Sequence, residues 1–587
     1  MKRFTALLLS TSILMCSLIS CANIGNSRRP PNLEYLYNTS ESHQAIGEYV
    51  QSALAAAGIT VSLTNQEWGT FLHTRKMGDF TIARNGWIAD YSDPISFLDM
   101  WTSDSGNNDI QLGKGEHKSL HIYSLDLRDE GYDVFVENGT WSETYDVLIR
   151  IIKFSTDAEE RYRLMHIAED MLMDTGCITP LYFYTDLYMI DENLKGFYSS
   201  PLGYKYFMNT TYPGKSSISV SLASEPESID PGLSSTVDSA TLVSHLCSGL
   251  TKWSKDKNGN LSIVPEAAEA LPEGRVNEDG SVTYVYTLKR GLLWSDGKPL
   301  SAKDFEFAWK RAAGSELAAD YGYMFEVIKG YGEKGGELAV TATSDRTLEV
   351  TLNVPVPYFN ELLAFPTYAP VREDVVKNEG WATEAESFIG NGPYVMSSWQ
   401  HNSCITLKRN ENYFDKNSVS MPEIKFYLSD DANNMLTNFK NGTWQFIDNL
   451  PTNEISSLKE RYPNELVTAG QIGTYYIAWN VNANLLPFEN TLSPEEREKA
   501  QMEIRKAISL LIDRNYIADE IGQAGQIPAS SFVALGIKNP DGSEFCHTAG
   551  NSENYIGYFD VSREAYRDNV FYAVNILKKY YELDIPD

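Results

Sequence analysis

The chain has 587 residues, too many for one hydrophobic core, so two or three domains or lobes are expected. Apolar residues at 42% and charged residues at 22% are those of a globular protein and exclude a largely disordered chain. The formal charge of -30 opposes binding to nucleic acid or anionic lipid, since both need clustered Lys and Arg to neutralise phosphates.

Residues 1-21 read as a processing segment: Lys2 and Arg3, an apolar run from Phe4 to Ile19, then Leu18-Ile19-Ser20-Cys21. A small residue before a cysteine, with Leu three positions ahead of it, resembles the bacterial lipobox, in which Cys21 becomes the lipidated first residue. A plain signal peptide or an uncleaved anchor are the alternatives. No other apolar run reaches transmembrane length, so the rest is expected to be exported. Cys177, Cys247, Cys404 and Cys546 are far apart and show no CxxC spacing; three pairings are open, as are buried free thiols.

In chain order, Leu33 to Asn38 predicts a strand. Thr39 or Ser40 then caps a helix with Ile46, Val50 and Leu54 four apart, Gly58 ends it, and Ile59 to Thr64 is a second strand, giving a βαβ unit. In the middle of the chain, Ile218 to Leu222 predicts a strand that leads through Ala223 to Pro231 into a helix. Hairpins turned by Asn258-Gly259 and Asp279-Gly280 follow. The alternating run from Ser281 to Arg311 ends in a helix capped by Ser301 with Asp304 at its third position. Ser562 to Leu583 predicts a last helix, and no strand follows it.

Six segments, EPESIDP, VTYVYTLKRGLLWSDGKPLSAKDFEFAWKR, GNGPY, LKRNENYFD, GTYYIAWN and RKAISLLIDRNYI, resemble successive signatures of the extracytoplasmic solute-binding proteins of oligopeptide ABC importers. ARNGWIADYSDPISFLDMWTSDSGNN, ITPLYFYTDLY and KGFYSSPLGYKYFMN resemble the same family too, but there they lie near the C-terminus. Leu33 to Tyr212 therefore resembles the last third of the family and Ile218 to Asp587 the first two thirds: the chain reads as circularly permuted, with Thr211 to Ser217 as a linker. The implied fold is α/β, a bilobed periplasmic-binding-protein-like clamp with mixed sheets. One lobe would be discontinuous, residues 32-185 and 472-587. The other would run through 186-471 and carry a protruding subdomain near 255-380.

The resemblance also implies a site. In the family the Asp of Trp-x-Ala-Asp-Tyr accepts a peptide's α-ammonium, and the motif stands here as Trp87-Ile88-Ala89-Asp90-Tyr91. The competing role for Asp90 is a turn cap before Ser92-Asp93-Pro94. Arg84 matches an arginine that reaches the peptide carboxylate; a structural ion pair is its alternative. Gly86, Trp87 and Ile88 from one lobe, and Ser248, Gly249 and Leu250 from the other, would offer backbone groups. Tyr321 and Tyr184 match cleft tyrosines. Many relatives have Glu where Ser248 stands, which weakens that match.

There is no GxSxG, HExxH or Walker lysine loop, and the eight histidines are scattered, so no enzyme, metal or cofactor is expected. The expected function is a lipid-anchored, extracytoplasmic, monomeric receptor that binds oligopeptides and delivers them to the permease and ATPase subunits of an ABC importer. The alternatives are a sensory or non-transport peptide-binding lipoprotein, a binder of another solute, and a non-functional product of a rearranged gene.

Overall fold

The computed structural model describes residues 28-119, 121-128, 135-257, 259, 261-332, 336-489, 491-548 and 557-585. The leader and its Cys21 lie outside the described residues.

Eleven strands make one mixed sheet: β1 (Leu33–Asn38), β2 (Val61–Gln66), β3 (Ile82–Ile88), β4 (Ile178–Ile190), β5 (Ser217–Leu222), β6 (Tyr394–Gln400), β7 (Cys404–Arg409), β8 (Glu423–Leu428), β9 (Phe446–Ile447), β10 (Leu466–Trp479) and β11 (Ile527–Pro528). Their order is β6-β7-β8-β5-β9-β4-β10-β3-β1-β2, with β11 beside β4. β1 is buried at five of six positions, as expected of a strand covered on both faces. It pairs in parallel with β2, and also with β3 at Tyr35 and Leu36. Parallel pairing needs a crossover, and helix α1 (Glu41–Ala56) supplies it, burying Ile46, Val50 and Leu54. Burying each of these side chains contributes about 1.5 to 3 kcal/mol. Gly58 follows with φ of 78°, a left-handed conformation that favours glycine. The expected βαβ unit is present, with its second strand starting at Val61. Ser40 precedes the helix, but its hydroxyl bonds to that of Ser42 and caps no helix amide.

β4 and β10 are the longest strands, 13 and 14 residues, and pair antiparallel over most of their length. The register shifts twice, once between Tyr475 and Tyr476, which face Tyr182 and Pro180, and once at a wider bulge. Gly470 faces Thr185 and Thr474 faces Phe183, so Gln471, Ile472 and Gly473 stand opposite Tyr184 alone. The freed backbone finds other partners: the Ile472 amide donates to the Pro201 carbonyl at 2.8 Å, and its carbonyl accepts the Ala89 amide at 2.8 Å. Past the bulge, β10 pairs with β3 from Gly473 opposite Ile88 to Trp479 opposite Ile82.

Both predicted hairpins form. One joins Thr251–Lys255 to Leu261–Pro265; the other joins Arg275–Val276 to Val282–Thr287, within a separate four-stranded sheet. Asp304 accepts the Ser301 amide at 2.7 Å, as its spacing predicts, and opens the helix Ala302–Ala313. Helices α2 (Trp68–Lys76), α3 (Trp141–Phe154), α4 (Ala158–Asp174) and α5 (Pro494–Leu510) flank the sheet, and the last helix, α6 (Tyr566–Tyr580), starts four residues later than Ser562. The described ends of the chain meet beside it: the Glu582 amide donates to the Arg28 carbonyl at 2.8 Å, and Arg28 Nε donates to the Tyr580 carbonyl at 3.0 Å. Cys177, Cys247, Cys404 and Cys546 are buried free thiols.

The bulge has no room for a side chain at Gly473, where a Cβ would lie 2.8 Å from the Trp87 carbonyl oxygen, whereas at Gly470 it would meet nothing within 4 Å. Gly473→Ala is expected to lower unfolding stability by about 1 to 3 kcal/mol in denaturant titrations. Gly470→Ala should stay within about 0.5 kcal/mol of wild type. Equal effects would show that the bulge is not closely packed.

Candidate functional site

β3 pairs with β10 along its length but with β1 only at Ile82 and Ala83. Its second edge is therefore unpaired from Arg84 to Ile88, and it borders a cavity of about 260 Å³. Gly86 shows the consequence: its amide donates to the Asn85 side-chain Oδ1 at 2.8 Å, not to a strand. A Cβ at Gly86 would collide with the Tyr184 hydroxyl, so glycine lets this tyrosine close over the strand.

Holding Ala89 at the bulge carries the next residue, Asp90, to the cavity wall. Ser96 Oγ accepts the Asp90 amide at 2.8 Å. The turn that follows is held by Asp93, whose Oδ1 accepts the Ile95 amide at 3.0 Å and whose carboxylate takes a two-pronged bond from buried Arg161 at 2.7 and 2.8 Å. The Asp90 side chain is left for the cavity. It is only 7% exposed, its Oδ2 has no hydrogen-bond partner, and among the described residues it forms no ion pair. Burial, then the charge of Asp99, push its pKa well above the ordinary 3.8, while the Tyr321 hydroxyl opposes the shift. An ionised carboxylate in this position is costly until a cation reaches it.

Arg84 stands six positions earlier, within β3, and also lines the cavity. Its Nε donates to Asn38 Oδ1 at 2.7 Å, and its guanidinium lies 5.4 Å from the ring centres of Trp68 and Phe71 and 5.8 Å from that of Tyr475. Among the described residues no carboxylate pairs with it, so the structural ion pair is not formed. The open edge thus has a buried guanidinium at one end and, just past the other, a buried carboxyl group, neither with an opposite charge beside it.

Trp87, Ile88, Tyr184 and Tyr321 line the same cavity, with the Trp87 indole donating to the Ser96 carbonyl at 2.7 Å. Tyr91 is elsewhere, stacked on Tyr358 at 4.5 Å and donating to Asp99. Ser248, Gly249 and Leu250 are not brought to this cavity either. Asn391 takes both the amide and the carbonyl of Ser248 at 2.9 Å, while the carbonyls of Gly249 and Leu250 accept amides from Ala267 and from Glu266 and Ala268. Gly249 borders a neighbouring cavity of about 250 Å³ that shares Phe365 with the first.

Sequence reasoning missed Arg75, Asn85 and Asp109, which line the cavity as one network: Arg75 donates to Asn85 at 2.8 Å and pairs with Asp109 at 2.5 Å. No spacing in the sequence links the end of α2 to the middle of β3. A further cavity of about 640 Å³ shares Trp68, Arg84 and Asp238 with the first. There, burial and then Asp448 push the Asp238 carboxyl up to about 6.

These residues line one cavity of an α/β protein, and comparisons with known proteins give its family. The family model of bacterial extracellular solute-binding proteins, family 5 (middle), matches residues 22–109 and 262–548, more than half of the chain, and the chain belongs to this family. It is 32% identical over 358 residues to the oligopeptide-binding protein OppA of Bacillus subtilis, and 32% identical over 345 residues to the dipeptide-binding protein DppE of the same organism. Each alignment spans only about three fifths of the relative, 59% of its length. The structure of Haemophilus influenzae OppA in complex with RPPGFSPFR superposes with a TM-score of 0.52 at 26% identity, covering 62% of this chain and 67% of that one. Escherichia coli MppA, at 24% identity and a TM-score of 0.51 over 62% of this chain and 66% of that one, shares the fold. The fold is the bilobed clamp of these proteins.

A raised carboxyl pKa favours the folded state below the ordinary 3.8, and that benefit is lost as pH rises through the folded-state value. Ligand-free Asp90→Asn should therefore melt above wild type at pH 7 to 8, with the gap closing towards pH 4. Identical melting temperatures at both pH values would mean that the carboxylate is not desolvated.

Proposed function

We propose that the chain is an extracytoplasmic receptor that closes two lobes around an oligopeptide and delivers it to an ABC importer, with Cys21 as its lipid anchor. The observation that carries this reading is the buried, unpartnered Oδ2 of Asp90 at the end of an open strand edge. A peptide laid along that edge adds a strand, and its main-chain bonds are the same for any sequence. Its ammonium reaches Asp90 and its carboxylate lies towards Arg84. Six positions at no more than about 3.3 Å each keep the two residues within about 20 Å of each other, a span suited to short extended peptides. The names of the relatives, oligopeptide- and dipeptide-binding proteins, support this ligand class.

We place the lobe boundary at the bulge, giving residues 32-185 and 472-587 against 186-471. Several contacts then cross between the two parts. Lys153 pairs with Glu326 at 2.7 Å, the Ser92 amide donates to Glu361 at 2.9 Å, and Tyr91 stacks on Tyr358. These are the contacts that lobe closure forms, and closure is the state an importer reads.

The order of the segments is a circular permutation of the family order. Its support is the split family match, pairwise alignments that stop at three fifths, and chain ends that hydrogen-bond to each other. Permutation needs adjacent ends and an exposed break; the bonds between Arg28 and the end of α6, and the exposure of Arg28 and Arg29, support it.

In thermal unfolding, a mixed tri- to pentapeptide pool should raise the melting temperature by an increment that grows with concentration. Asp90→Ala should weaken binding by about 2 to 5 kcal/mol, and acetylating the peptides' amino ends should do the same to wild type. Unchanged binding in both cases would remove Asp90 from the site. A reordered chain, opened within Thr211 to Ser217 and joined from Asp584 to Arg28, should bind the same pool; failure to fold would contradict the permutation.

A further inference from the structure

Whole-chain charge opposes contact with anionic lipid, but at physiological salt fields fade over about 8 Å, so only the charges on the apposed face count. One face departs from the rest of the molecule. The solvent side of α6 exposes Arg567, Asp568, Phe571, Tyr572, Asn575, Lys578 and Lys579, a continuous stripe at helical spacing. Phe571 at 72% and Tyr572 at 60% are the most exposed aromatics among the described residues. Three bases and one acid flank them, and Lys579 shares one of its contacts with Glu503 at 3.6 Å.

The chain enters the described structure at this helix. Arg28 and Arg29 are exposed, and Arg28 is bonded to the carbonyls of Lys579 and Tyr580 at the C-terminal end of α6. Cys21 lies seven residues before Arg28, so an anchor there holds this helix within about 25 Å of the bilayer. Aromatic and basic side chains sharing one outward face suit a headgroup layer, with the rings at the interface and the cations on phosphates.

We propose that the outer face of α6 is a contact surface for anionic phospholipid headgroups, which fixes the orientation of the receptor on its membrane. The inference rests on the tethered, extracytoplasmic reading above. In this orientation α6 faces the bilayer, and none of its residues lines the ligand cavity.

The test uses the chain from Ala22 onward with an N-terminal hexahistidine tag, held on vesicles by a nickel-chelating lipid in place of the acyl anchor. An environment-sensitive fluorophore is placed at Asn575→Cys, and in a control at exposed Val276→Cys; the four native thiols are buried. On vesicles with 40% phosphatidylglycerol, the probe at 575 should shift to the blue and be quenched by brominated lipid, and the probe at 276 should not. The shift should disappear on phosphatidylcholine alone, in 0.5 M salt, and when Arg567→Glu and Lys578→Glu are combined with the probe. Phe571→Ser with Tyr572→Ser should at least halve it. An unshifted probe at 575, or equal shifts at 575 and 276, would overturn the proposal. Peptide-induced stabilisation of the same samples reports separately on the binding reading, so either can fail alone.

Discussion

The bulge in β10 is the constraint on which the site depends. Two long strands, β4 and β10, pair across the sheet and must part for three residues, Gln471 to Gly473. At that break the Ile472 carbonyl accepts the Ala89 amide, which holds the chain leaving β3 where Asp90 meets the cavity. The same break sets Tyr184 against Gly86 and leaves the backbone of Ile472 to bond with Pro201. A local interruption of the ladder thus joins three segments distant in sequence, which is how bulges commonly aim side chains.

Around that constraint the electrostatics are left incomplete. Asp93 and Arg161 satisfy each other in a buried pair, Arg505 pairs with Glu498, and Lys153 sits between Asp99 and Glu326. Asp90 and Arg84 lack such partners and are stabilised only by dipoles and rings. Stability withheld at these two groups is available for a ligand that brings the missing charges, which is the ordinary cost of a preformed binding site. The neighbouring pairs hold the loop rigid, so the cost stays confined to the groups that meet the ligand.

Much of this was legible in the sequence, in proportion to how local its cause is. The β1-α1-β2 unit follows from a buried apolar run and a four-residue stripe, and the two hairpins from their Asn-Gly and Asp-Gly turns. Asp90, Arg84, Gly86, Trp87, Ile88, Tyr184 and Tyr321 were reached through motif resemblance, and the structure brings them to one cavity. Tyr91, from the same motif, packs on Tyr358 because the chain turns at Asp93, and no spacing rule reports that turn's direction. Ser248, Gly249 and Leu250 have their backbone groups engaged by Asn391, Glu266, Ala267 and Ala268, contacts that only the folded chain reveals. The bulge was invisible for the same reason: GTYYIAWN reads as an uninterrupted strand, and the break that takes in its Gly473 is seen only where Ile472 bonds to Pro201 and Ala89.

The central claim is that Asp90 is desolvated without ligand and ionised against an ammonium with it. Calorimetry of peptide binding in pairs of buffers with different ionisation enthalpies, from pH 4.5 to 7, measures this directly, because an acid forced to ionise releases its proton. The account predicts proton release by wild type that is strongest on the acid side, and none by Asp90→Asn at whatever affinity remains. Binding by wild type with no proton release at any of these pH values would contradict it.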